Sequence, residues 1–187
     1  MSEFSTLEDQ IRECFGRVVY THKTHEKMAE LCSSKLTRYK LGQIGVSALA
    51  TSGAMGVMLY TQPPMVLKVA TALLSLVTLW ISGYMKGFDP GGTAQKHRDA
   101  ASGLWPIRES YLSLLTDLRM GSVDAATASQ RRDDLQAELA AIYKGAPQTN
   151  SKAYGLAQTA LKASEEYTFS DAEIDVFVPS SLRKGKK

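Results

Sequence analysis

Apolar and polar positions alternate with a helical period along most of the chain, and the period is lost only in the middle. Over residues 7–40, Ile11, Phe15, Val18, His22, His25, Met28, Cys32, Leu36 and Tyr39 follow one another at steps of three or four, the spacing that builds one face of a helix. No Gly-Pro break separates this stretch from Leu41, which predicts one long helix entering an apolar segment. Residues 41–60 are twenty uncharged residues, about 30 Å as a helix and enough to cross the hydrocarbon layer. Thr61-Gln62-Pro63-Pro64 must turn, because two prolines end a helix and set an extended bend. Residues 65–85 then form a second apolar helix centred on Leu73, Leu74, Leu76, Val77, Leu79, Trp80 and Ile81.

Helical periodicity resumes after the turn-rich Gly87-Phe88-Asp89-Pro90-Gly91-Gly92, with Thr93 as the expected N-cap. Leu104, Ile107, Tyr111, Leu114 and Leu118 form a coiled-coil-like stripe that Pro106 is expected to kink and Gly121 to end. Ser122 is the expected cap of a helix carrying Leu135, Leu139 and Ile142, which stops at Gly145-Ala146-Pro147. An alanine-rich helix is predicted over 151–167, and Ser170 with Glu173 gives a capping-box signature ahead of Ile174, Phe177 and Val178. No strand alternation stands out. The predicted class is an all-α membrane protein: a cytoplasmic N-terminal helix (1–40), a transmembrane hairpin (41–86, spans about 41–60 and 65–85), a cytoplasmic helical bundle (87–182) and a basic tail (183–187).

Composition changes this picture little, whereas the placement of charge changes it a great deal. Mean hydropathy is slightly negative, yet residues 41–67 carry no charge and, after Lys68, neither do 69–85. A soluble helix needs a polar face, and the second span has no charged one, which argues against a core helix of a soluble bundle. Lys68 is near enough to the turn to snorkel to the interface, and Trp80, Tyr84 and Tyr60 suit interfacial positions. Lys23, Lys27, Lys35, Arg38 and Lys40 precede the first span, and Lys86, Lys96 and Arg98 follow the second. The positive-inside rule therefore puts both termini in the cytoplasm. A polar, charged N-terminal stretch leaves insertion to the hairpin itself. The net charge of +3 is too small to imply nucleic-acid binding.

Chemistry-bearing constellations are scarce. His22 and His25 lie on one helical face beside Glu26, but two histidines on an apolar stripe read as packing residues, and no metal site or cofactor is expected. Cys14 and Cys32 match neither zinc nor redox spacing and read as small apolar side chains. Gly-Phe-Asp-Pro-Gly-Gly lacks the context of a phosphate-binding loop. The chain is not expected to be an enzyme. The informative residues are polar ones inside the spans. Thr71, Ser75, Thr78 and Ser82 line one face of the second helix, and Gln43, Ser47 and Thr51 line one of the first. Gly42, Gly45, Ser52 and Gly56 lie on another face. Such stripes either pack helices closely or, in an oligomer, line a water-filled lumen. A mid-membrane charge, the mark of a proton relay, is missing.

The order of parts resembles the SLATT family of small two-helix membrane proteins from prokaryotic conflict systems. The likeness runs from about Ile11 to Leu182. Tyr20-Thr21-His22-Lys23 precedes the hairpin, and Lys96-His97-Arg98 and Leu104-Trp105-Pro106-Ile107-Arg108-Glu109-Ser110-Tyr111 follow it. Arg131-Arg132-Asp133-Asp134-Leu135, Ile142-Tyr143, Ala146-Pro147 and Glu173-Ile174-Asp175 complete the series. The resemblance implies a homo-oligomeric, pore-forming antiphage effector that permeabilises the bilayer in abortive infection and carries no catalytic residue. A separately encoded cyclic-oligonucleotide synthase, SLOG-type protein or reverse transcriptase would supply its trigger. The alternative is a membrane-anchored scaffold that recruits a cytoplasmic partner.

Overall fold

The computed structural model describes residues 3–184 and contains, among them, helices and no strand. The helices are α1 (Glu3–Leu59), α2 (Met65–Phe88), α3 (Pro90–Met120), α4 (Ala125–Gly145), α5 (Ser151–Lys162) and α6 (Asp171–Phe177), followed by a 3₁₀ turn, Ser180–Leu182. Of the basic tail, Gly185, Lys186 and Lys187 lie outside the described residues. The chain divides into two compact units, Met28–Asp99 and Met1–Lys27 with Ala100–Lys187. These divisions fall within α1 and α3.

The unit Met28–Asp99 holds the hairpin. Two of its helical stretches are long and apolar enough to cross a membrane. α2 has no buried residue, and Leu41 and Leu79 expose 65% and 69% of their surface. An apolar helix left bare on this scale would aggregate in water, whereas in lipid its backbone bonds are all internal and its side chains are solvated. This exposure argues against the soluble-core alternative. α2 continues to Phe88, and only Asp89, in the left-handed conformation at φ 33°, separates it from α3. Thr93, the expected N-cap, therefore lies inside α3. Pro90 takes the first helical position, where its missing N–H is no loss, and the Asp89 carboxylate accepts the Gly92 N–H at 2.9 Å. A Cβ on Gly92 would collide with that carboxylate.

In the other unit, Ile11, Cys14 and Val18 of α1 and Leu104, Ile107, Tyr111, Leu114 and Leu118 of α3 form the core, with Ala128 of α4. Leu135, Leu139 and Ile142 of α4 pack against it. Gly103 lets Ile142 approach: a Cβ there would stand 3.3 Å from its Cδ1. α3 remains one helix through Pro106. The freed carbonyl of Ser102 is on the exposed side, where water can satisfy it. Gly121, at φ 67°, ends α3, and the Ser122 N–H donates to the Asp117 carbonyl at 3.0 Å. Ser122 is thus consumed by the C-cap of α3. Asp124, not Ser122, caps α4, accepting the Thr127 N–H at 2.7 Å. α5 buries Ala153, Ala157 and Ala160 and stops at Lys162 rather than at 167. The next residues leave the helix, and Glu165 takes φ 49°. The Ser170–Glu173 capping box is present, with both reciprocal bonds made.

Candidate functional site

Two sets of polar side chains stand out, one in each unit. In the hairpin, the Gln43 amide donates to Ser82 Oγ at 2.8 Å, joining α1 to α2. Further along, Gly53 faces Thr71 so closely that a Cβ would strike the Thr71 hydroxyl, and Gly56 sits against Leu67. Gln43, Ser47, Thr71, Thr78 and Ser82 are partly buried, whereas Thr51 and Ser75 are exposed. The hydroxyls of Thr51, Thr71, Ser75, Thr78 and Ser82 donate to the carbonyls four residues earlier, at 2.8–3.0 Å. That pattern satisfies a hydroxyl in lipid without a partner helix. The two predicted stripes are therefore divided. One part joins the helices of a single hairpin, and Thr51 and Ser75 lie at its exposed margin. At the base of the hairpin Lys35 Nζ donates to the Tyr84 hydroxyl at 3.0 Å, and Tyr39, Trp80 and Phe88 surround the Tyr84 ring within 5.7 Å. This is the amphipathic girdle expected at a membrane interface.

The second set is a buried polar cluster around His22. Lys23, its side chain 6% exposed, bridges Glu26 at 2.8 Å and Glu166 at 2.5 Å. Its ammonium also lies 4.5 Å from the Tyr167 ring centre, as does the Arg108 guanidinium. The Tyr167 hydroxyl donates to Glu26 at 2.8 Å, and its ring stacks on His22. Arg108 meets His22 Nδ1 at 3.4 Å while Nε2 faces Glu26 at 3.5 Å. A guanidinium can only donate and a carboxylate only accept, so these two neighbours favour a neutral ring with its proton on Nε2. Burial pushes the His22 pKa down, Arg108 and Lys23 push the same way, and Glu26 opposes them. For Glu26 burial works upward, but the hydrogen bonds from Lys23 and Tyr167 outweigh it and hold the carboxyl below its ordinary range. Burial, then Glu26, raises the Tyr167 phenol well above its usual value. Every charge here is matched, so the arrangement ties the segment after α5 to α1 and α3 and offers no free nucleophile.

The sequence pointed to His22 and His25 on one face, and both are buried. His97, also buried, belongs to the other unit. No group of three or more His, Cys, Asp or Glu side chains placed to hold a metal occurs among the described residues. Sequence periodicity missed Glu166 and Tyr167, because they lie outside any helix and meet Lys23 only through the tertiary fold.

A family model for the SMODS and SLOG-associating 2TM effector domain family 4 matches residues 7–173, taking in the hairpin and the whole His22 cluster. The chain belongs to this family. The match ends inside α6, so Val176, Phe177 and the basic tail lie beyond it. No curated protein and no solved structure matches the chain. Family membership and the bare apolar helices agree on a two-transmembrane, membrane-associated effector domain connected with SMODS and SLOG systems.

Proposed function

We propose that the chain is an oligomeric, membrane-permeabilising effector of a prokaryotic antiphage defence system. A separately encoded sensor or synthase of the SMODS, SLOG or reverse-transcriptase kind would trigger it, and the permeabilised cell would stop growing before the phage completes its cycle. The observation that carries this reading is the exposure of Thr51 and Ser75 on otherwise apolar helices. One hairpin cannot enclose a lumen. Several copies could turn these hydroxyls toward a shared aqueous path, with the remaining apolar surface toward lipid.

The experiment is induced expression of Thr51→Leu/Ser75→Leu beside wild type and beside Gln43→Leu, reading membrane potential and oligomer size together. Leucine at 51 and 75 should abolish depolarisation, because the path becomes apolar and dewets, while assembly and membrane abundance stay as in wild type. Gln43→Leu removes one interhelical bond of about 0.6 kcal/mol and should depolarise nearly as wild type does. A fully conducting Thr51→Leu/Ser75→Leu assembly would exclude this face as the lumen. A membrane protein that never depolarises cells under any trigger would leave the scaffold reading in its place.

A further inference from the structure

The base of the hairpin carries charge that the chain does not answer. Residues 31–88 contain Lys35, Arg38, Lys40, Lys68 and Lys86 and no carboxylate. Lys68 lies near the turn, and the other four gather at the opposite end. Lys35 to Lys40 spans about 8 Å of α1 at 1.5 Å per residue. Counting four residues toward the base along each helix from the Gln43–Ser82 bond brings Lys86 level with Tyr39. All four are exposed, and among the described residues none of them is ion-paired. The carboxylates next to them in sequence are Glu30, more than a helical turn before Lys35, and Asp89, which accepts the Gly92 N–H at 2.9 Å. Four cations against two carboxylates leave the base positive. It also sits at headgroup depth, because residues 41–60 already account for the hydrocarbon layer.

One face of this base is built for more than diffuse attraction. Lys35 and Arg38 stand three residues apart on the same side of α1, whereas Lys40 is turned about 140° from Lys35. Lys35 Nζ donates to the Tyr84 hydroxyl at 3.0 Å and lies 5.4 Å and 5.8 Å from the ring centres of Tyr84 and Tyr39. An ammonium has three N–H donors; the neutral phenol takes one and leaves the charge for an anion. Trp80, stacked on Tyr84, is exposed, as is Val77 nearly one turn further into the span. Fixed cation, aromatic ring and bare apolar surface thus follow one another in the order of a lipid's phosphate, glycerol and acyl chains. We propose that the Lys35–Arg38 face binds the phosphate of an anionic phospholipid, whose chains lie along Trp80 and Val77. The matching charge is the headgroup's own, and cations beside a span attract anionic lipid strongly. The inference needs the hairpin in a bilayer but no particular effector activity.

The full-length protein would be reconstituted in vesicles of equal phosphatidylglycerol and phosphatidylcholine with the same acyl chains. After extraction in mild detergent, its retained lipids are counted by mass spectrometry. Extraction removes the field of the bilayer, so the lipid that stays is held by contacts. Wild type should retain phosphatidylglycerol over phosphatidylcholine. Lys35→Gln/Arg38→Gln should lower that preference about fivefold or more. Lys40→Gln/Lys86→Gln, which removes the same charge from the same level, should lower it by less than about twofold. Circular dichroism and size exclusion matching wild type show that the variants fold. Wild type gives a second reading that needs no variant: salt of about 0.5 M during extraction should weaken the preference, as screening acts on exposed charges. No preference in wild type, equal losses in the two double variants, or a preference indifferent to salt would each overturn the proposal. So would carbodiimide coupling of Lys35 to a carboxylate of a second copy with no lipid retained, which gives the cations to a neighbouring chain.

Discussion

His22 shows how much one side chain's state depends on its neighbours. An imidazole in water is half charged near pH 6.5. Here burial, with Arg108 and Lys23 nearby, outweighs the opposing carboxylates of Glu26 and Glu109 and favours the neutral ring. A group whose folded pKa is depressed contributes stability that is complete above its unfolded value and is lost as pH falls through the folded one. Thermal stability should therefore drop as pH is lowered from about 6.5, with a second loss in the carboxylate range as Glu26 and Glu166, both held low, take up protons. His22→Gln keeps a neutral polar group and should flatten the first step while leaving the second. Melting curves of the purified protein across pH 8 to 4 read both; an unchanged first step in the variant would assign it to another group.

The elements are held by devices of different reach. Caps at Asp124, Asn150 and Ser170 are local, each a side-chain oxygen on a backbone N–H three residues on. The stretch between α5 and α6 is held instead from a distance, through Glu166 and Tyr167 onto Lys23, Glu26, His22 and Arg108. Lys23→Ala leaves Glu26 and Glu166 without their shared cation. Those carboxylates are about a third exposed, so the loss should fall between the surface and fully buried extremes, at about 2 kcal/mol. Tyr167→Ala should act on the same stretch, raising amide exchange over 163–170 about tenfold or more while α5, anchored by its own alanines, stays protected. Hydrogen-exchange mass spectrometry distinguishes this from global unfolding, in which every helix would exchange together.

At the scale of the whole molecule, two units of opposite character share the continuous helices α1 and α3. One is bare and apolar; the other has an ordinary packed core. The asymmetry of basic residues about the hairpin predicts a topology with the Gln62-Pro63-Pro64 turn outside and both termini inside. A cysteine at Gln62 should react in intact cells with an impermeant maleimide, and one at Lys152 only after lysis. Labelling of the Lys152 position from outside would reverse the assignment.

By itself the sequence determined the helical class, the two spans, the turn between them and the coiled-coil-like seam of Ile11, Val18, Leu104, Ile107, Tyr111, Leu114 and Leu118. All of these are periodic or uncharged over several turns, and periodicity is a local property that the chain carries without folding. The Ser170 capping box was equally legible, since its two partners are three residues apart. Thr93 and Ser122 were misassigned as caps because a neighbouring aspartate competed for each role, and the geometry of the preceding helix end decided the outcome. The polar stripes were visible as faces. That Gln43 meets Ser82 while Thr51 and Ser75 stay exposed depends on how the two helices approach through Gly53 and Gly56. Only the tertiary structure could bring Lys23 to Glu166 and Tyr167, because nothing local joins residues more than a hundred positions apart; packing places them together, and burial then sets their charge.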